Sequence, residues 1–187
     1  MTIADIIAPS AEPVTLERAK EFLRVDGAHE DALIRDLIMG ARLRVEQMAR
    51  TSLISRRRAY NSHRVFTHCL YINHSPISAV VKVSVVDPGD VETEIPLEDI
   101  LINRRAIPAT LSLTTGKCFS DYAEDVVGVI VEIEAGYGAA PEDVPMPLRQ
   151  ALLLLLAQSY ECRDKAAARP VPMLVDALLM PYRTVRI

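Results

Sequence analysis

Val126-Val-Gly-Val-Ile-Val-Glu-Ile-Glu-Ala-Gly136-Tyr-Gly138 leads through Val144-Pro145 into Leu148-Arg-Gln-Ala-Leu-Leu-Leu-Leu-Leu156, and the apolar repeat changes between the two. Val127, Val129, Val131 and Ile133 alternate with Gly128, Ile130, Glu132 and Glu134, the period of a strand with one buried face. Leu148, Ala151, Leu152, Leu155 and Leu156 recur instead at helical spacing, and Pro147 suits a first helical turn, where an N–H has no partner to lose. Gly136-Tyr137-Gly138 marks the chain reversal between them. Leu152–Leu156 is apolar on every side, so this helix is either central or meets a neighbouring subunit.

Upstream, the β-branched runs Val65–Ile72, Ala79–Val86, Ile100–Ile102 and Thr110–Leu113 lie between turn formers such as Asp87-Pro88-Gly89-Asp90 and Thr115-Gly116. Together with Val126–Ala135 they predict a compact antiparallel sheet. Further upstream the period is helical. Thr15 is a natural N-cap for a helix over Thr15–Val25, with Glu17 in its first turn and Leu16, Ala19, Phe22 and Leu23 on one face. Leu33, Ile34, Leu37, Ile38, Ala41, Val45 and Met48 predict a longer helix over Glu30–Ala49, with Asp31 and Arg35 placed to pair. After the Leu-rich helix come a linker, 165–169, and a short amphipathic stretch in which Leu174, Ala177, Leu178 and Met180 share a face. Pro181–Ile187 reads as extended.

Helices and strands are therefore segregated rather than alternating, which is an α+β arrangement: an N-terminal helix pair, a small antiparallel sheet, a long C-terminal helix and an extended C-terminal arm. The expected organisation is an extension over 1–14, one domain over 15–163 (helices 15–25, 30–50 and 147–163 with a β-rich insert at 53–135), and an arm over 164–187.

Half of the 187 residues are apolar and a quarter charged, sufficient for a core with charged faces left over. The net charge of −4 is unevenly spread. Residues 15–74 hold eleven Lys/Arg against seven Asp/Glu, residues 75–145 four against thirteen, and residues 146–187 six against three. An acidic middle between mildly basic ends suits subunits that orient against one another, not a dedicated DNA binder. The N-terminus lacks the pattern of a signal peptide, and the longest apolar run, Ala151–Ala157, is far short of the roughly 20 residues of a membrane span. Synthesis in the cytoplasm is expected.

Candidate chemistry is sparse. Cys69, Cys118 and Cys162 form no CxxC pair, and His63, His68 and His74 match no zinc-ligand spacing; His68 and Cys69 would point to opposite faces of a strand. Asp121, Glu124 and Asp125 sit in a turn before a strand, where a solvated loop explains them as well as acid–base work does. Gly136-Tyr137-Gly138 lacks the further glycine, lysine and immediate helix of a phosphate cradle. No metal, cofactor or catalytic residue is expected. Arg56-Arg57-Arg58, with Arg64 nearby, is the densest positive run. It reads as a junction or subunit contact, or alternatively as a phosphate-binding patch on a small nucleic-acid-binding or regulatory domain.

Three ordered stretches resemble the head-tail connector (adaptor) family of long-tailed phages and phage-derived gene transfer agents. They are Pro13–Asp26 with the helix Leu33–Met48, the strand–Gly-Tyr-Gly–Val-Pro–helix passage Ile130–Leu153, and the closing Leu178-Leu-Met-Pro-Tyr-Arg183. The resemblance implies a structural, non-enzymatic subunit of a ring, typically of twelve copies, in the neck of a virion or phage-like particle. Its implied partners are the portal, the next neck (stopper) protein and the DNA passing through the lumen, with no membrane. It also places Leu174, Leu178, Leu179, Tyr182 and Arg183 at the portal contact, while Arg56, Arg57 and Arg58 are expected between subunits or facing DNA on their charge alone.

Overall fold

A computed structural model describes residues 2–62, 69–104, 106, 108–162 and 170–183. The chain divides into two compact units, Met1–Ala8 with Ser55–Gly136, and Pro9–Ile54 with Tyr137–Ile187. The expected α+β class holds, and each unit has its own core.

The first unit is all β. Strands β1 (Thr2–Asp5), β2 (Arg56–Ser62), β4 (Ile77–Val86), β5 (Glu92–Ile95) and β8 (Gly128–Ala135) form an antiparallel sheet in the order β1-β2-β8-β4-β5. Strands β3 (Leu70–Ile72), β6 (Ile100–Asn103) and β7 (Ala109–Leu113) form a second sheet in the order β3-β7-β6. Both contribute to one cluster, with Val83, Val85, Val129, Val131 and Ile133 from the larger sheet and Leu70, Ile72 and Leu111 from the smaller. The alternation in β8 is realised from Val129 onward: Val129, Val131 and Ile133 are buried while Glu134 is exposed, whereas Val127 precedes the strand and is 47% exposed. The β-rich stretch is thus two layers rather than the single sheet expected, because two short sheets can cover each other's apolar faces.

The sequence reading missed three strands. β2 consists of Arg-Arg-Arg-Ala-Tyr-Asn-Ser and β5 of Glu-Thr-Glu-Ile. Both are strands because a central strand, β8 or β4, supplies their ladder, so tertiary pairing overrides weak propensity. β1 lies within the stretch read as an N-terminal extension and pairs with β2, Ala4 opposite Ala59. Of the expected strand Val65–Ile72, residues 65–68 lie outside the described residues.

The second unit is helical: α1 (Leu16–Leu23), α2 (Asp31–Ala49), α3 (Met146–Glu161) and α4 (Met173–Leu179). Thr15 caps α1, its Oγ1 accepting from the Arg18 N–H at 3.2 Å. Asp31 pairs with Lys20, Nζ to Oδ1 2.7 Å, and not with Arg35, because α1 brings the lysine across to the start of α2. Ile34, Ile38, Val45, Leu148, Leu152 and Leu156 are all buried in the core. Leu153 and Leu155 are buried as well, and Leu154 is partly buried, so α3 is the central element that its all-round apolarity suggested. One polar cluster is built into this core. Arg42 bonds Glu12 at 2.8 Å and Glu46 at 3.3 Å, and Glu46 accepts the Leu53 N–H at 2.9 Å, so the nearly buried guanidinium is compensated.

Candidate docking surfaces and the arginine strand

α4 arises because Pro172 fixes its start and Val175 and Leu179, four residues apart, face one way. Both are fully buried in the helical core. Leu178 and Tyr182 pack partly against the same core. Of the five residues expected at a portal contact, Leu174 is the apolar one left largely uncovered, at 54%. Arg183 is held by Asp176, Nη2 to Oδ1 2.6 Å. The exposed apolar face also holds two methionines that the sequence reading had not singled out, Met173 at 89% and Met180 at 74% exposed. Met180–Tyr182 is a 3₁₀ turn, so Pro181 and Tyr182 are not extended as expected; the helix C-terminus carries the backbone straight into the turn. Residues 165–169 and 184–187 lie outside the described residues.

The arginine run is not a free basic patch. β2 alternates faces, and the three guanidiniums have acidic neighbours within the sheet unit. Arg56, with its side chain 1% exposed, places Nε 2.9 Å from Asp5 Oδ1. Arg58 Nε lies 2.7 Å from the same oxygen, out of line for a hydrogen bond, so that contact is electrostatic. Arg58 also approaches His74 at 3.4 Å. On the opposite face Arg57 Nε is 3.6 Å from Glu132 Oε2. Sequence reasoning missed these partners because Asp5 and Glu132 are far from the run in the chain and β1 carries almost no strand signal. Arg64, His63 and His68 lie outside the described residues.

The acidic stretch is built as a turn. Asp121 caps a 3₁₀ turn, its Oδ2 accepting the Cys118 N–H at 2.8 Å, and Glu124 and Asp125 are exposed. Among the described residues no group of three His, Cys, Asp or Glu could hold a metal ion. Beside this turn the Tyr122 hydroxyl donates to Asp99 Oδ2 at 2.7 Å. Desolvation first, then the bond to Asp99 and its charge, push the Tyr122 phenol up to about 12 from 10.0. A titration of phenolate absorbance should show one tyrosine ionising near pH 12, and Asp99→Asn should lower that value. The sign follows from proton binding. Below the unfolded value of 10.0 this group's contribution to stability is complete, and it is lost as pH rises through about 12.

Gly136-Tyr137-Gly138 is a chain reversal and not a cradle. Gly136 has φ 143°, a conformation costly for other residues, and donates to the Pro76 carbonyl at 3.1 Å. Gly138 has no room for a Cβ beside the Asp143 carboxylate, which accepts the Ala140 N–H at 2.9 Å.

No helix among the described residues is long and apolar enough to cross a membrane. The chain has the fold of a protein from the neck of a phage-like particle. Three solved structures carry the likeness, each aligned over 100% of this chain and 97% of the other. The neck of an empty gene transfer agent particle, computed with sixfold symmetry, matches with a TM-score of 0.83 at 24% identity. The virion of the native gene transfer agent particle matches with 0.79 at 24%, and the native neck computed with twelvefold symmetry with 0.77 at 25%. No protein-family model matches the chain, and no curated protein matches it by sequence.

Proposed function

We propose that this chain is a structural subunit of the neck of a phage or phage-derived particle, assembled as a ring that joins head to tail. The observation that carries this reading is the likeness over the whole length of both chains to proteins of gene transfer agent necks. In this reading the ring binds the portal, continues the DNA channel and receives the next neck protein, and the particle neck is where the chain resides. The C-terminal region from Pro170 onward does the docking, through the exposed apolar face of α4. The chain does no chemistry: its acidic turn is solvated and its glycines serve backbone geometry. The alternative, a nucleic-acid-binding domain built on Arg56–Arg58, is disfavoured because those guanidiniums are engaged by Asp5 and Glu132.

Deleting the gene from its producing cell should yield filled heads without tails, restored by supplying the chain in trans, and imaging of restored particles should find the chain below the portal vertex. Tailed, infectious or gene-transferring particles made without it would overturn the proposal. A steep, salt-dependent affinity of the purified chain for DNA would favour the alternative.

A further inference from the structure

The helical unit carries an open groove of about 600 Å³ between the start of α1 and the start of α3. Val14, Phe22, Met146 and Leu153 supply its apolar lining, and Arg18, Arg149 and Glu142 its charged groups, with Arg18 already paired to Glu21 at 2.6 Å. Met146 is 64% and Phe22 38% exposed, so two large apolar side chains stand uncovered at its mouth. The polar side is equally incomplete. Arg149 Nε is buried without a hydrogen-bond partner among the described residues. The sixteen-residue α3 opens here with no side-chain cap and no acid in its first turn, so no side chain of that turn offsets the positive end of its dipole. Arg149, on that same turn, adds to the positive charge. The combination fits an occupant with an apolar side chain flanked by carboxylates.

The sheet unit displays such a segment. The β4–β5 turn runs Asp87-Pro-Gly-Asp-Val-Glu92, and Val91 is 57% exposed between exposed Asp90 and Glu92. The turn is pinned in advance: Asp87 Oδ1 accepts the N–H groups of Gly89 at 2.8 Å and Val91 at 3.0 Å. A preordered tip loses little entropy on docking. Residues 82–95 hold four acids against Lys82 alone, which lies 3.6 Å from Glu92, a balance opposite in sign to Arg149 and the helix end.

We infer that the Asp87–Glu92 turn of one copy seats in the α1–α3 groove of a second copy, Val91 on the apolar lining and the carboxylates of Asp90 and Glu92 toward Arg149 and the α3 N-terminus. The inference rests on the neck reading, in which identical copies stand side by side. A contact between two different surfaces of one chain is heterologous, the kind that closes a ring.

Disulfide trapping with the purified full chain tests this without any particle. Val91→Cys and Met146→Cys alter two exposed positions. The mixture of the two single variants should give a cross-linked dimer on mild oxidation. The chain carrying both should give a ladder of trimers and higher species, and neither single variant alone should exceed the level set by exposed Cys118. Arg149→Glu introduced into the trapping pair should reduce the cross-linked yield roughly tenfold or more, and adding Glu92→Arg should restore it. Absence of cross-linking in the mixture, or cross-linking indifferent to Arg149→Glu, overturns the inference. Because the assay needs no portal or tail, a chain found in the neck that fails to trap sinks only this contact. A chain that traps but is absent from the neck sinks the functional reading.

Discussion

A triple variant, Met173→Asp, Leu174→Asp and Met180→Lys, is expected to lose capture by the portal while keeping its fold. The three side chains are 89%, 54% and 74% exposed, so the chain alone loses little when they become polar. The new charges suit the helix ends, acids at the start of α4 and a base just beyond its last turn. At a docked interface the same changes remove three apolar contacts and place charges where water is excluded. With about 1.5–3 kcal/mol for each large apolar side chain buried, a loss of about 4 kcal/mol or more follows, a thousandfold or more in affinity. Removing residues 170–187 outright would be a poorer experiment. Val175 and Leu179 are fully buried, so truncation also opens the helical core, and Leu179→Ala alone should cost about 2–5 kcal/mol of stability. Binding to purified portal and thermal unfolding, measured on the triple variant and on Leu179→Ala, separate the two effects. A triple variant that binds as the parent does would remove α4 from the docking surface. Arg183→Ala gives a finer reading. Its ion pair with Asp176 is 38% and 50% exposed on the two sides and contributes about 1 kcal/mol at most to the fold. A large loss of binding would therefore come from the partner.

What the sequence made legible follows the strength of its periodicity. α2 and α3 combine long helical repeats with clear boundaries, and their observed limits, Asp31–Ala49 and Met146–Glu161, lie within a residue or two of those expected. β8 was equally plain, since Val129, Val131 and Ile133 recur at every second position, with Glu132 and Glu134 between and after them. β1, β2 and β5 were not, because their residues carry little intrinsic strand preference and become strands only through the ladder that a central strand offers. The same non-local pairing hid the character of the arginine run: its nearest acid, Asp5, is separated from Arg56 by the whole N-terminal helix pair. At α4 the amphipathic stretch was visible, but helical spacing alone could not say which of Leu174, Leu178 and Leu179 the core would claim. The groove beside α3 had no sequence signal, since its lining comes from the chain before α1, from α1 itself and from Pro141 onward.

Asp5→Ala should cost about 2–4 kcal/mol of stability in the sheet unit, although Asp5 stands near the chain start in a four-residue edge strand. One carboxylate oxygen serves two arginines, Arg56 Nε at 2.9 Å and Arg58 Nε at 2.7 Å, and the Arg56 side chain is 1% exposed. Removing the acid leaves a buried guanidinium with its charge compensation diminished, which for a fully enclosed pair costs about 3–5 kcal/mol; the figure is lower here because Asp5 itself is one-third exposed. Arg57→Ala on the other face is the internal control. That pair is 3.6 Å apart with Arg57 37% exposed, so a loss of about 1 kcal/mol or less is expected. Amide exchange along β2 and β8, together with chemical denaturation, reads the two variants without assuming that both units unfold in one step. The contrast also bears on function. If the arginine run served nucleic acid, Arg56, Arg57 and Arg58 would contribute comparably to a salt-dependent affinity, each removal flattening the salt slope by about one unit. If it is a ladder of sheet-internal ion pairs, the variants differ in stability according to burial and share an unchanged, weak affinity for DNA. Equal stability of Asp5→Ala and the parent, with uniform losses of DNA binding across the three arginine variants, would reverse the assignment of this strand.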